Sequence, residues 1–261
     1  MRTPLVVAFL AIVLIAVLVV WRSMGGQTPV TLSNAKVQAE SGAEGTAMAT
    51  LKIEAGAAPD VLLSASSPEA EAVAIVSPTG ATRLTIPAGS APSLSSDGAF
   101  LRLSGVDGAL EEGRLIPLTL EFARSGKMSV QARVGAEVDP HAMHRAMAAM
   151  AEAGGDGPPP ALSMVLEPAA DGATRVRLTV ENFTFDREAA EVETPVHVPG
   201  RGHGHLYLDG LKLQRVYAPE LTIGALPEGA YTVRVELNSN NHMPYRDEAG
   251  PVAAEAVLEV E

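Results

Sequence analysis

The sequence predicts an all-β chain, and three observations carry that reading. Short apolar runs of strand length recur along most of it, 24 Gly and 19 Pro punctuate its 261 residues, and aromatic residues make up only 4%. Gly and Pro supply turns and interrupt helices, so this spacing fits strands joined by many tight connections. The expected layout is one N-terminal transmembrane helix followed by two β-sandwich domains, joined by a short Met/His-containing helix and a Gly/Pro linker. At the usual ~100–200 residues per domain, the length allows two compact units.

Residues 1–25 read as a membrane anchor, with a signal peptide as the alternative. Leu5 to Trp21 is a run of 17 uncharged residues between Arg2 and Arg22. That is close to the short limit of the ~17–25 residues needed to cross a bilayer. Trp21 stands where an interfacial aromatic belongs. Val20, Trp21, Arg22 and Met24 make a poor cleavage site, which favours an uncleaved span. The sequence holds no cysteine to carry a lipid. A single span at residues 5–21 predicts a bacterial inner-membrane protein with its bulk in the periplasm.

Residues 30–135 form the first expected sandwich. Its runs are Thr46–Ile53, Val61–Ser66, Ala72–Ser77, Ala99–Val106, Leu115–Phe122 and Lys127–Val134, separated by Gly, Pro, Asp and Ser clusters. Residues 139–160 come next. Asp139 supplies an N-cap and Pro140 a first turn for a helix over His141–Ala153. The stretch Gly154–Pro160 then ends that helix and forms a spacer. Residues 161–261 form the second sandwich, with runs Leu162–Glu167, Thr174–Glu181, His203–Asp209, Leu211–Tyr217, Glu220–Leu226, Tyr231–Asn238 and Ala253–Val260. Asp209-Gly210 between two alternating runs predicts a type I′ hairpin.

A net charge of −12 argues against nucleic acid as a partner, since contact with phosphates would begin in repulsion. With no cysteine, a thiolate nucleophile, disulfides and every Cys-ligated metal centre are excluded. Any metal must be held by imidazole, thioether, carboxylate or backbone oxygen.

All six histidines fall after residue 135: His141, His144, His197, His203, His205 and His242. In Gly200-Arg-Gly-His-Gly-His-Leu-Tyr-Leu-Asp-Gly210 the pair His203 and His205 occupies i and i+2 of a strand, so both side chains leave one face. The intervening glycines are expected to leave room for them. His242 and Met243 follow the Tyr231–Asn238 strand, and His197 lies just upstream of the pair. Three imidazoles suit Cu(II) or Zn(II), and a thioether tilts the choice toward copper. On the predicted helix, Met143, Met147 and Met150 form one stripe, with His141 and His144 beside it. Such a stripe can hold Cu(I) loosely or can simply pack as an apolar face.

Two resemblances extend this reading. Ser66-Ser67-Pro68, Val73–Val76, Ile86-Pro87-Ala88-Gly89, Leu110-Glu111-Glu112-Gly113 and Ile116–Phe122 occur in the order seen in the PCu(A)C family of periplasmic copper chaperones. The resemblance covers about Val30 to Val134 and implies a cupredoxin-like sandwich. It does not bring the family's copper site with it. The family's first His aligns with Val76, its Met loop is shortened to Ser77–Thr82, and its His-x-Met pair aligns with Phe100 and Arg102. The segment His197–Asp209 with Asn238–Pro244 is similar to envelope domains that carry a Gly-His-x-His-Leu-Tyr-x-Asp-Gly motif.

The function expected from all this is copper binding at the membrane surface, for chaperoning, storage or delivery to an envelope recipient such as cytochrome oxidase, without catalysis. Copper, as Cu(I) or Cu(II), is the expected ligand, and zinc comes second. The rival reading is a non-metal interaction scaffold of two sandwiches. No nucleophile elbow is present, and Gly200-x-Gly-x-Gly precedes a strand instead of joining a strand to a helix, so it is no phosphate loop.

Overall fold

The computed structural model describes residues 30–40, 42–135 and 158–261. The expected span at 5–21 and the segment carrying His141, Met143, His144, Met147 and Met150 lie outside the described residues. Among the described residues no helix is long and apolar enough to cross a membrane. The described chain is all-β.

The first unit comprises β1 (Thr31–Ala39), β2 (Ala47–Glu54), β3 (Asp60–Ser66), β4 (Ala70–Val76), β5 (Leu84–Ile86), β6 (Ser93–Leu94), β7 (Phe100–Val106), β8 (Leu115–Phe122) and β9 (Gly126–Val134). Its strands pair in the order β4-β7-β2-β1-β9-β8-β3-β5, with β6 also on β2, and only β1–β9 is parallel. β2 shows why these residues form strands: Ala47, Ala49, Leu51 and Ile53 are buried at every second position, the signature of a sheet wet on one face. β8 repeats the pattern with Ile116, Leu118, Leu120 and Phe122. Phe122 is 2% exposed, and burying such a ring is worth roughly 1.5–3 kcal/mol.

The second unit comprises β10 (Ala161–Pro168), β11 (Thr174–Glu181), β12 (Thr184–Phe185), the single turn α1 (Arg187–Ala190), β13 (Arg201–Leu208), β14 (Leu211–Val216), β15 (Glu220–Ile223), β16 (Gly229–Ser239), β17 (Arg246–Asp247), β18 (Gly250–Pro251) and β19 (Ala253–Val260). Strands β14-β13-β16-β19 form one sheet and β10-β11-β15 another. Val176 and Leu178 of the smaller sheet share a buried cluster with Leu206, Val233 and Val235 of the larger. The β13–β14 hairpin turns at Asp209 and Gly210, with φ of 48° and 82°, the doubly positive turn that Asp-Gly favours.

The two units meet through backbone. Lys212 of β14 pairs with Ser93 of β6, which makes one sheet continuous across both. Ser77 Oγ and Thr79 Oγ1 both donate to the Asp209 carbonyl, at 2.7 and 2.9 Å. The Ala99 amide donates to the Gly210 carbonyl at 2.8 Å, and the Ala88 amide to that of Ala225 at 3.0 Å. A single buried apolar cluster runs through both units. The loops of the first unit therefore hold the β13–β14 hairpin in a fixed place.

Candidate metal centre

On β13, His203, His205 and Tyr207 leave one face. Gly202, Gly204, Leu206 and Leu208 leave the other. The glycines therefore do not make room for the imidazoles, contrary to the expectation from sequence. A Cβ on Gly202 would collide with the Asn238 carbonyl of β16, and one on Gly204 would sit 3.1 Å from Val216 Cβ and 3.3 Å from Val235 Cγ1. They let β13 press against its neighbours, which fixes the register Gly202↔Ser239, His203↔Asn238 and His205↔Glu236.

That register delivers the third histidine. After β16 the chain turns sharply: His242 N donates to Ser239 O at 2.9 Å and Ser239 N to Met243 O at 2.8 Å. His242 takes φ 64° at the turn, a left-handed conformation in which His is one of the enriched non-glycine residues. Its ring folds back over the strand pair. Met243, expected as a sulfur donor, enters this arrangement through its backbone carbonyl. His197 is separated from the group. Its ring packs 6.0 Å from that of Tyr245, because the Tyr245 hydroxyl ties down the loop beside it, 3.1 Å from Val198 O and 2.9 Å from Arg201 O.

One ring nitrogen from each of His203, His205 and His242 lies within 4.8 Å of the others. His203 Nε2 is 3.0 Å from His205 Nε2 and 3.1 Å from His242 Nδ1. A ring nitrogen carries either one proton or one lone pair, so His203 Nε2 cannot complete two ordinary hydrogen bonds. Nitrogens bound to one tetrahedral ion at ~2.0–2.1 Å would stand about 3.3 Å apart, which is close to these two separations. His203 and His205 are 0% and 3% exposed, and His242 opens to solvent.

Protonation favours lone pairs here. Burial, then the charges of His205 and His242, lower the pKa of His203 to about 3. Burial also lowers that of His205 against the opposing pull of Asp97, and lowers that of His242 with help from Arg215. All three rings are therefore neutral at pH 7 and available as ligands. Two cations flank them, and each has its own carboxylate. Arg215 pairs with Glu191 at 2.8 Å and Lys212 with Asp97 at 2.6 Å. Tyr217, which also bonds Glu191, lays its ring 5.7 Å from that of His203.

Asp97, from the first unit, was not singled out by sequence reasoning. Its Oδ2 is 3.1 Å from His205 Nδ1 and accepts from the Tyr207 hydroxyl at 3.2 Å. Burial opposes its charge, but His205 and Lys212 outweigh that and hold its carboxyl well below the usual carboxylate range. The positions aligned with a copper site in the first unit hold no donor cluster. Val76 pairs with Phe100 across β4 and β7, and Arg102 stacks on Phe100 and binds Glu40 at 3.0 Å.

Residues 30–134 match the family model described as "Putative lipoprotein LpqE-like". The likeness covers the first unit alone. That match ends before the second unit, which holds His203, His205 and His242, begins. No match was found among curated proteins. Similar solved structures include the copper-bound PCuAC domain from PmoF2, at 18% identity and a TM-score of 0.39, covering 42% of this chain and 95% of that one. Cu(I)-DR1885 from Deinococcus radiodurans shows 22% identity and a TM-score of 0.38 over 44% of this chain and 83% of that one. The sporulation control protein Spo0M from Bacillus subtilis shows 12% identity and a TM-score of 0.23 over 88% and 90%. With TM-scores below 0.5, these are likenesses and no more.

Proposed function

We propose that this protein is a membrane-anchored periplasmic copper-binding protein that holds the ion at His203, His205 and His242 and stores it or passes it to an envelope recipient such as cytochrome oxidase. The convergence of three neutral imidazole nitrogens, two of them buried, is the observation that carries this reading. An all-imidazole set favours Cu(II), with Zn(II) next, because affinity for such ligands peaks at copper along the first-row series. Burial of His203 and His205 shields one side of the ion, while solvent-exposed His242 leaves a route for loading and release. Binding without turnover suits that design, and the lipoprotein description of the family matched by residues 30–134 supports an envelope location.

The test is competition titration of the full chain with Cu(II) and Zn(II), beside a His203→Ala/His205→Ala double variant. Tight binding by the parent and its loss in the variant is the expected result. Equal binding by both would overturn this centre, and a parent indifferent to both metals would leave an envelope scaffold as the better reading.

A further inference from the structure

We infer that Asp97 of the first unit is the positioning residue of the histidine centre, so that metal affinity depends on docking of the two units. This inference rests on the metal reading of the same histidines.

Two neighbours of His205 fix its tautomer independently. Lys212 Nζ lies 3.3 Å from His205 Nε2, and an ammonium group only donates. His205 Nε2 must therefore present its lone pair. On the other side of the ring, ionised Asp97 Oδ2 only accepts, so Nδ1, 3.1 Å away, must carry the proton. Tyr207 places its hydroxyl 3.2 Å from both Nδ1 and Oδ2 and steadies the carboxylate. The result is an imidazole whose Nδ1–H is held by a carboxylate and whose Nε2, 3.0 Å from His203 Nε2, presents a lone pair that Lys212 shares in the metal-free protein and that an ion would take over. Carboxylates beyond the ligand shell commonly orient metal-binding histidines in this way, and losing one typically costs 10–100-fold in affinity.

Asp97 is 108 residues from His205 along the chain and sits on the Ser95–Gly98 turn of the other unit. The turn is held there by Gly98 N→Ser95 O at 3.0 Å and by Ala99 N→Gly210 O at 2.8 Å. Gly98 is packed so closely that a Cβ would stand 2.7 Å from the Gly210 carbonyl oxygen. The second unit supplies the ligands, and the first supplies the group that aims one of them.

The experiment uses the full chain in detergent and has two readouts. In the metal-free protein, ¹⁵N NMR of the ring nitrogens reports the His205 tautomer. The parent is expected to show Nδ1–H, and Asp97→Ala is expected to shift toward Nε2–H. In competition titration, Asp97→Ala should weaken Cu(II) and Zn(II) binding by about 10–100-fold, with Asp97→Asn in between. Asp97→Ala/Lys212→Met controls for the unpaired ammonium, and the loss should persist in it. Ser77→Ala/Thr79→Ala, which loosens docking without touching the centre, should also weaken binding, by less. A parent with Nε2–H at His205, unchanged affinity in Asp97→Ala, or full recovery in the double variant would each overturn the role of Asp97 while leaving the metal centre standing. A parent that binds neither metal would overturn both.

Discussion

Adding metal should stabilise the fold by an amount that also reveals how the two units are coupled. The ligands come from β13 and from a turn 39 residues further on, so the unfolded chain does not hold them together. A ligand specific for the folded state at 100 times its Kd contributes about 2.7 kcal/mol. If the second unit, of about 100 residues, unfolds alone, a slope of roughly 4–8 °C per kcal/mol gives a Tm rise of about 11–22 °C. If the continuous sheet and shared core make both units melt as one, the slope is roughly 2–4 °C per kcal/mol and the rise about 5–11 °C in a single transition. The continuous backbone pairing predicts the second pattern. Differential scanning calorimetry with and without Cu(II), followed by chelation, reads it directly. No rise in the parent, or an equal rise in His203→Ala/His205→Ala, would refute the reasoning.

Three further outcomes follow from the packing. Asp60 accepts from the amides of Val61, Arg124 and Ser125 at 2.8, 2.9 and 3.0 Å while 3% exposed, so Asp60→Ala should cost about 2–4 kcal/mol in chemical denaturation. Burial alone would raise the Asp60 pKa, but its hydrogen bonds win and lower it below 3.8; its stabilisation should be complete above that value and fade as pH falls through the lower folded value, an acid dependence that Asp60→Asn should lack. Gly202→Ala should unfold or displace β13 and abolish metal binding, whereas Gly204→Ala, meeting Val216 Cβ and Val235 Cγ1 at 3.1 and 3.3 Å and the Glu236 carbonyl only at an ordinary 3.6 Å, should lower Tm and keep the metal. Gly210→Ala forces a side chain onto φ 82° against Ser77 Oγ, with Pro78 Cδ at 2.8 Å, and should destabilise the docked hairpin by at least the roughly 1–2 kcal/mol of left-handed strain, seen as a drop in Tm and in metal affinity.

Much of the framework was legible because it rests on local rules. Period-two burial in β2 and β8, and the doubly positive turn at Asp209-Gly210, are written into adjacent residues. His203 and His205 share a face for the same reason. The placement of His242 was readable only in outline, since it depends on β13 lying beside β16 in one register out of several. His197 looked as good a candidate by distance along the chain, and what removes it is the long-range anchoring of its loop by Tyr245, which nothing local announces. Asp97 was invisible for a stronger reason. In Ser95-Ser96-Asp97-Gly98 it has the form of an ordinary turn residue, and only the docking of two units gives it a partner.

The same docking gives the first unit a place in the chemistry although the residues aligned with a metal site there are Val76, Phe100 and Arg102. β4 ends at Val76 and β7 begins at Phe100, so the loops that follow the one and precede the other emerge side by side. Those loops carry Ser77 and Thr79, which grip the Asp209 carbonyl, and Asp97, which faces His205. An end of the sandwich that is covered by the hairpin of the neighbouring unit cannot also be an open ion site. What it can do is hold one carboxylate at a fixed height beside a buried imidazole. On the proposed reading, a unit without a histidine of its own still governs which way an imidazole of the next unit points.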